Sequence, residues 1–464
     1  MTGNGTLRKG GSSLALALDF ALLTLFPHQR TGVEYLKSCT AHALLFDEQR
    51  VGKTPQMIVA SGELGLDDVL IVTTVAGVGV WKHMWAQWDK WGRTPVIVPW
   101  SQIATGTRYA GVLTRRYKLL ILDESHYAKN PGAARTQRAF GVSYGDKLIQ
   151  ARALAAKSDR VWCATGTPMS HDPSDLFMTL KALFPQILEA GNGFPDVTSY
   201  GKFRQRYCVL AQRKVGRRFV TVVVRGQNLD ELQRRIRGKF IRRRQVDVGI
   251  RPAFWDTMPF TPTAHEAAEL EAAIDRDAMI RAMQRGQWAE AERHLAAVRR
   301  VTGAFKAHAV VEAAKEYFKA YEGEKLVIAY WHQAVGTLLE EGLARFNPVR
   351  VDGSITGENR TSKVQQFTKS ANCRVFLAQI AACGEAIDLS ASAEMWFAES
   401  VFTPAQMAQM GARITNLNQP KQCLVKVVAL VDSIDELIQD RLVDLSRSIA
   451  HTLGENYAEN FRAS

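Results

Sequence analysis

Short, uninterrupted apolar runs alternate along the chain with stretches of helical periodicity. Ala43-Leu44-Leu45-Phe46, residues 69–73, Val96-Ile97-Val98, Leu119-Leu120-Ile121-Leu122 and residues 160–164 each predict a buried strand. Between them lie a helix opened by Pro27, a second over residues 55–64, and a third carrying Trp81, Trp85 and Trp88 at helical spacing. That spacing assigns the tryptophans to a core rather than to base stacking. Strands alternating with helices imply an α/β fold with a parallel, doubly wound sheet. The alternation returns after Lys306, with strands expected at 326–330, 349–352, 374–379, 394–398 and 424–431. Residues 1–13 have the Gly, Ser and Thr content of a flexible tail, and residues 264–299 have the periodicity of helices bridging the two repeats.

Two of the strand ends carry chemistry. After the first strand comes Asp47-Glu48-Gln49-Arg50-Val51-Gly52-Lys53-Thr54, which opens a helix. This is a phosphate-binding layout: backbone N–H groups face phosphate, Lys53 reaches the β- and γ-phosphates, and the Thr54 hydroxyl ligates Mg²⁺. Asp47 occupies the place of the first glycine of the G-x-x-x-x-G-K-[ST] pattern. The run 119–122 then ends in Asp123-Glu124. At the carboxyl edge of a parallel sheet, Asp123 would hold Mg²⁺ while Glu124 orients or deprotonates the attacking water. Gln29, one element before the loop, carries an amide able to read an adenine edge.

Charge adds a second theme. The chain of 464 residues has a formal net charge of +13. Residues 202–244 hold fifteen Lys and Arg against Asp230 and Glu231, an excess equal to that of the whole chain. Such concentration points to a surface for a phosphate backbone. Six cysteines without a C-x-x-C pair suggest buried thiols in a reducing compartment, neither zinc nor a disulfide framework. The apolar run 14–26 is interrupted by Asp19, lacks a cleavage site, and is too short to span a bilayer. A protein that depends on ATP belongs where ATP is, so the sequence is read as cytoplasmic, with no membrane partner.

The order of these motifs resembles a superfamily II helicase of the Swi/Snf type. Gln29, Gly52-Lys53-Thr54, Asp123-Glu124-Ser125-His126 and Thr165-Gly166-Thr167-Pro168 match its first lobe. The family's D-E-M-G-L-G-K-T accommodates Asp47, but Gln49 replaces Met and Arg50 replaces Gly. Arg50 either stiffens the loop or adds a phosphate contact. The basic segment is similar to the protrusion of the annealing-helicase branch, which rewinds DNA; its R-R-x-K-x-D-V stands here as residues 242–248, with Gln245 for Lys. In the second lobe, Asp352-Gly353-Ser354 with Arg360 resembles a nucleic-acid-contacting turn, and residues 379–389 a segment coupling DNA to ATP. Gln409, Arg413 and Gln419 match Q-x-x-x-R-x-x-R-x-G-Q, whereas the second arginine, normally a finger on the γ-phosphate, is Asn416, and the glycine is Asn418.

The resemblance implies two RecA-like doubly wound parallel-sheet lobes with a basic α/β protrusion and bridging helices. The expected divisions are a flexible tail and lead-in over 1–24, an ATP-binding lobe over 25–200, the protrusion over 201–250, a helical bridge over 251–303, the second lobe over 304–432, and a helical tail over 433–464. Expected cofactors are ATP and Mg²⁺, with Thr54 and Asp123 on the metal. Gln29, Gly52, Lys53 and Thr54 are expected to bind ATP, and Glu124, Asp123, Lys53, Arg413 and Gln409 to serve catalysis. Arg213, Lys214, Arg217, Arg218, Arg242, Arg243 and Arg360 are expected on double-stranded or branched DNA; protein partners are unspecified, and a monomer suffices. The reading is an ATP-dependent double-stranded DNA translocase. Its rivals are a DNA clamp with a decayed ATPase, favoured by Asn416, and an RNA-directed remodeller. No nuclease or chromatin-reader constellation is visible.

Overall fold

Two parallel six-stranded sheets organise the chain, each covered by helices on both faces. The structure, a computed structural model, describes residues 24–105, 110–141, 153–215, 218–263, 265, 268, 288–355, 357–384, 387–399, 404–431 and 452. The N-terminal tail, most of the expected bridging helices, Arg217 and nearly all of the C-terminal tail lie outside the described residues.

The first sheet contains β1 (His42–Leu45), β2 (Val69–Thr73), β3 (Val96–Pro99), β4 (Tyr117–Asp123), β5 (Ser158–Ala164) and β8 (Phe240–Ile241), in the order β3-β2-β4-β5-β1-β8. Because successive side chains point to opposite faces, Leu44 and Phe46 enter one core while Ala43 and Leu45 enter the other. Trp81 and Trp85, on α3 (Val75–Trp88), are buried against the second of these cores together with Trp88. The nucleotide loop lies between β1 and α2 (Lys53–Glu63), and α1 (Pro27–Ser38) packs beside it.

An antiparallel hairpin, β6 (Cys208–Val215) and β7 (Arg218–Gly226), follows the first lobe. It leads to α5 (Leu229–Ile236), preceded in the chain by α4 (Tyr200–Tyr207) on the other side of the hairpin. The chain then re-enters the first sheet, where Phe240 and Ile241 pair with Leu44 and Leu45. The basic segment is thus an excursion whose end is built into the first lobe.

The second sheet runs β11-β12-β10-β13-β14-β9, all parallel. Its strands are β9 (Phe254–Phe260), β10 (Leu326–Tyr330), β11 (Val349–Val351), β12 (Val375–Gln379), β13 (Glu394–Phe397) and β14 (Leu424–Leu430). Strand β9 corrects the reading of 251–303 as helical throughout, since Phe254 to Phe260 pair in register with Leu424 to Leu430. A long helix, α6 (Trp288–Ala320), then leads into β10. Among the described residues no helix is long and apolar enough to cross a membrane. None of the six cysteines is paired, and five are buried.

Candidate nucleotide site and nucleic-acid surface

Local sequence shapes the loop between β1 and α2. Gly52 caps α2 with φ of 86°, a left-handed backbone that favours glycine. A Cβ there would also lie 2.1 Å from Gln29 Nε2, so the glycine makes room for the glutamine. Gln29 is buried, its Oε1 accepting from Phe26 N at 3.0 Å at the start of α1 and its Nε2 facing Val51 O at 3.5 Å. Lys53 Nζ donates to the carbonyls of Asp47 (2.9 Å) and Glu48 (3.0 Å). Burial depresses its pKa, while Glu124, Asp47 and Asp123 work to keep it charged. Thr54 follows at the second position of the helix.

Asp123 ends β4, and its Oδ2 accepts from Thr73 Oγ1 and Trp81 Nε1, both at 2.8 Å. Trp100 Nε1 donates to the Asp123 carbonyl at 2.8 Å. Thr73, Trp81 and Trp100 therefore orient this acid, a role hidden in the sequence, where Trp81 reads only as core. Glu124 adopts φ of 49°, an uncommon backbone for a non-glycine residue, such as occurs at working sites. Its Oε2 lies 3.3 Å from both Thr165 Oγ1 and His126 Nδ1.

The environment drives the adjacent acids apart. Burial and then the charge of Glu124 raise the Asp123 carboxyl, against the pull of Trp81, Thr73 and Lys53. Burial alone would raise Glu124 as well, but His126, Lys53 and Arg413 outweigh it and hold its pKa at about 2. A carboxylate kept ionised beside a lysine suits the alignment of a water. Thr54 and Asp123 offer the hard oxygen donors that suit Mg²⁺, which keeps several waters and takes one or two carboxylates plus phosphate oxygens.

The second lobe reaches this site. Gln409 Nε2 donates to Thr167 Oγ1 at 3.3 Å; Thr167 N donates to Thr165 Oγ1 at 3.0 Å, and Thr165 contacts Glu124. Arg413 is buried, its Nε and Nη2 donating to Gly384 O at 3.1 and 2.5 Å. Asn416 donates from Nδ2 to Ser390 Oγ at 2.6 Å within its own lobe. Arg50 reaches across to the second lobe: its Nε donates to Thr415 O at 2.8 Å and its Nη2 pairs with Asp388 at 2.8 Å. Its guanidinium therefore makes a contact between the lobes.

Two arginines assigned to DNA are turned inward, which corrects that assignment. Arg242, with a side chain 9% exposed, donates to Phe46 O at 2.7 Å and pairs with Glu48. Arg243 joins Asp47 through both carboxylate oxygens and donates to Gln56 Oε1 at 2.7 Å. They buttress the nucleotide loop. Other charges of the segment are also met inside the protein: Lys202 by Asp196, Arg206 and Arg235 by Glu231, Arg244 by Asp247. The hairpin keeps Arg213, Lys214 and Arg218 at its far end, where Arg213 registers with Val220, Lys214 with Phe219 and Arg218 with Val215. Arg360 lies on α7 (Gly357–Lys369), after the turn at Asp352 whose Gly353 N donates to Gln379 Oε1 at 3.0 Å.

Comparison with known proteins shows what the chain is similar to. No protein-family model matches the chain. A mouse protein named DNA annealing helicase and endonuclease ZRANB3 is 24% identical over 445 residues, covering 89% of this chain and 39% of its own length. The Drosophila melanogaster SWI/SNF-related matrix-associated actin-dependent regulator of chromatin subfamily A-like protein 1 is 24% identical over 443 residues, with 90% and 54% covered. These likenesses, over about nine-tenths of the chain, fit a Swi/Snf-type helicase-like protein of superfamily II. The chain spans about two-fifths to half of the length of these two relatives. Among solved structures, the Sulfolobus solfataricus SWI2/SNF2 ATPase core in complex with dsDNA is similar with a TM-score of 0.40 and 14% identity, covering 94% of this chain and 98% of that one. The family pattern also defines where this chain departs: Gln49, Arg50, Gln245, Asn416 and Asn418.

Proposed function

We propose that the protein hydrolyses ATP between its two lobes and uses the lobe motion to translocate on, or remodel, double-stranded or branched DNA. The observation that carries the reading is the convergence on one loop of Lys53, Asp123 and an ionised Glu124, joined through Thr165 and Thr167 to Gln409 of the other lobe. Lys53 would bind phosphate charge, Glu124 would align water, and the Thr165–Thr167–Gln409 path would report lobe closure to the carboxylate. Thr54 and Asp123 would hold Mg²⁺, whose charge when bound assists phosphoryl transfer. The names of the relatives, among them a DNA annealing helicase, support DNA as the track. A compartment that supplies ATP and keeps thiols reduced, the cytoplasm, fits these needs.

The second reading is a DNA clamp with a weak or lost ATPase, favoured by the Asn416–Ser390 contact, which offers no cation to a nucleotide. Steady-state ATP hydrolysis with and without duplex DNA, with RNA as competitor, separates the readings. The expected result is DNA-stimulated turnover, loss of ATP binding in Lys53→Ala, and retained binding with lost turnover in Glu124→Gln. Hydrolysis unchanged in both variants removes the site assignment; undetectable wild-type turnover leaves the clamp; stimulation by RNA alone makes RNA the track.

A further inference from the structure

Four departures from the family pattern, Gln49, Arg50, Gln245 and Asn416, come from three separate stretches of the chain yet meet at one seam between the lobes. Arg50 projects from the nucleotide loop, 17% exposed, to Thr415 O and to the half-exposed carboxylate of Asp388. Gln245 touches both sides: its Nε2 donates to Gln49 O at 3.1 Å, and its Oε1 accepts from the Thr415 hydroxyl at 3.4 Å. Asn416, next to Thr415, holds Ser390, whose own N–H donates to Asp388 Oδ1 at 3.0 Å. The acid gripped by Arg50 is thus fastened to the segment that carries Asn416.

Backbone strain marks Arg50 as the centre of this seam. Its φ of 70° lies in the left-handed region, where the family pattern has glycine. Lobe 1 gains no described hydrogen bond or ion pair from the guanidinium in exchange, since each of those contacts is to lobe 2. Strain maintained at such a position needs a compensating role. The geometry points to Arg50 as an inter-lobe latch: a positioning residue that clamps the loop carrying Lys53 to two second-lobe segments, one carrying Asp388 and the other Arg413 and Thr415. Asn416 brings no charge to a nucleotide bound on lobe 1. Arg50 runs the attraction across the cleft in the other direction, from lobe 1 to an acid of lobe 2. The inference rests on the ATPase reading for its catalytic consequence, and on the lobe contacts alone for the latch.

The test places a fluorophore pair at the exposed positions Lys90 and Lys369, one on each lobe, and follows lobe closure in the full chain with a non-hydrolysable ATP analogue, Mg²⁺ and duplex DNA. Arg50→Ala and Asp388→Asn are each expected to shift the closed-to-open ratio about tenfold toward open, the scale of one charged hydrogen bond. The kcat for ATP falls with it, while KM stays within about twofold because no phosphate contact is lost. The exchanged pair, Arg50→Asp with Asp388→Arg, recovers closure. Arg50→Gly loses closure while raising the unfolding temperature of lobe 1, a combination that a merely structural arginine does not produce. Wild-type closure in both Arg50→Ala and Asp388→Asn overturns the latch. If Arg50→Ala fails to fold, Asp388→Asn decides alone. A wild-type chain that closes through Arg50 yet hydrolyses no ATP retains the latch and loses the ATPase; normal DNA-stimulated turnover with latch-independent closure does the reverse.

Discussion

Removing the Arg243 side chain distinguishes support of the nucleotide loop from contact with DNA. Asp47 is completely buried, and Arg243 meets both of its oxygens while its side chain is only 13% exposed. Breaking such a pair from one side costs about 3–5 kcal/mol, because a charge is left in a dry site. Two donors would remain on Asp47, the Arg243 amide at 3.0 Å and Gln56 Nε2 at 3.2 Å, which places Arg243→Ala near the lower end, about 3 kcal/mol. Against a domain stability of about 5–15 kcal/mol this is a large loss. Arg243→Lys should recover little of it, since one ammonium cannot reproduce the planar fork across Asp47 and Gln56. The assay is urea unfolding of wild type and variant, run beside ATP binding and the salt dependence of duplex binding. Expected are lower stability, weaker ATP binding and an unchanged slope of log affinity against log salt. A stability loss below about 1 kcal/mol with a slope reduced by about 0.9, the change for one phosphate contact, would refute the reasoning and return Arg243 to the DNA surface.

Neutralising Arg213, Lys214, Arg217 and Arg218 together should flatten that slope by up to about 3.6, and an unaltered slope would move the duplex elsewhere. Asn416→Arg should raise DNA-stimulated turnover and Arg413→Ala should abolish it, measured as kcat; a flat response to Asn416→Arg in a folded, ATP-binding protein shows that the cation at 416 is not limiting. The carboxyl of Glu124 is depressed from 4.5 to about 2, so its stabilisation is present above pH 4.5 and lost as pH falls toward 2. The stability difference between wild type and Glu124→Gln should therefore be about 3 kcal/mol at pH 7 and shrink through that window in pH-dependent unfolding. Asp123 has the opposite sign: its raised pKa favours the fold below pH 3.8 and opposes it once ionised, so Asp123→Asn should raise the melting temperature at pH 7 while stopping turnover.

Local patterns in the sequence carry most of the fold. Continuous apolar runs such as Leu119 to Leu122 signal strands buried on both faces, and the sheets contain them where expected. Strand β9 escapes that signal because Asp256 and Pro259 interrupt it; an edge position tolerates them, and its partner β14 lies far along the chain. The arginines show the same limit. A run such as Arg242-Arg243-Arg244 reads as a charged surface, and only the pairing of β8 with β1 brings Arg242 and Arg243 to Glu48 and Asp47. Spacing predicts that Trp81 is buried, but not that its indole N–H meets Asp123. Long-range pairing decides what a charged or aromatic residue does; short-range pattern decides only whether it is inside an element.

The strand pairing of β9 alters the covalent route between the lobes. Both β9 and β10 belong to the second sheet, so whatever chain lies between them leaves and returns to one rigid unit. The tether is instead the stretch from β8 to β9, residues 242–253. It is anchored near one end by Arg242 and Arg243 on the nucleotide loop and near the other by Arg251, which donates to Gln419 O at 3.1 Å and Pro420 O at 2.6 Å. Extra residues spliced in at 264–287 would enlarge one body without lengthening the leash, so a reporter domain inserted there would ride with the second lobe. A single residue added within 246–250 would instead change the register between two machines that must engage at one seam.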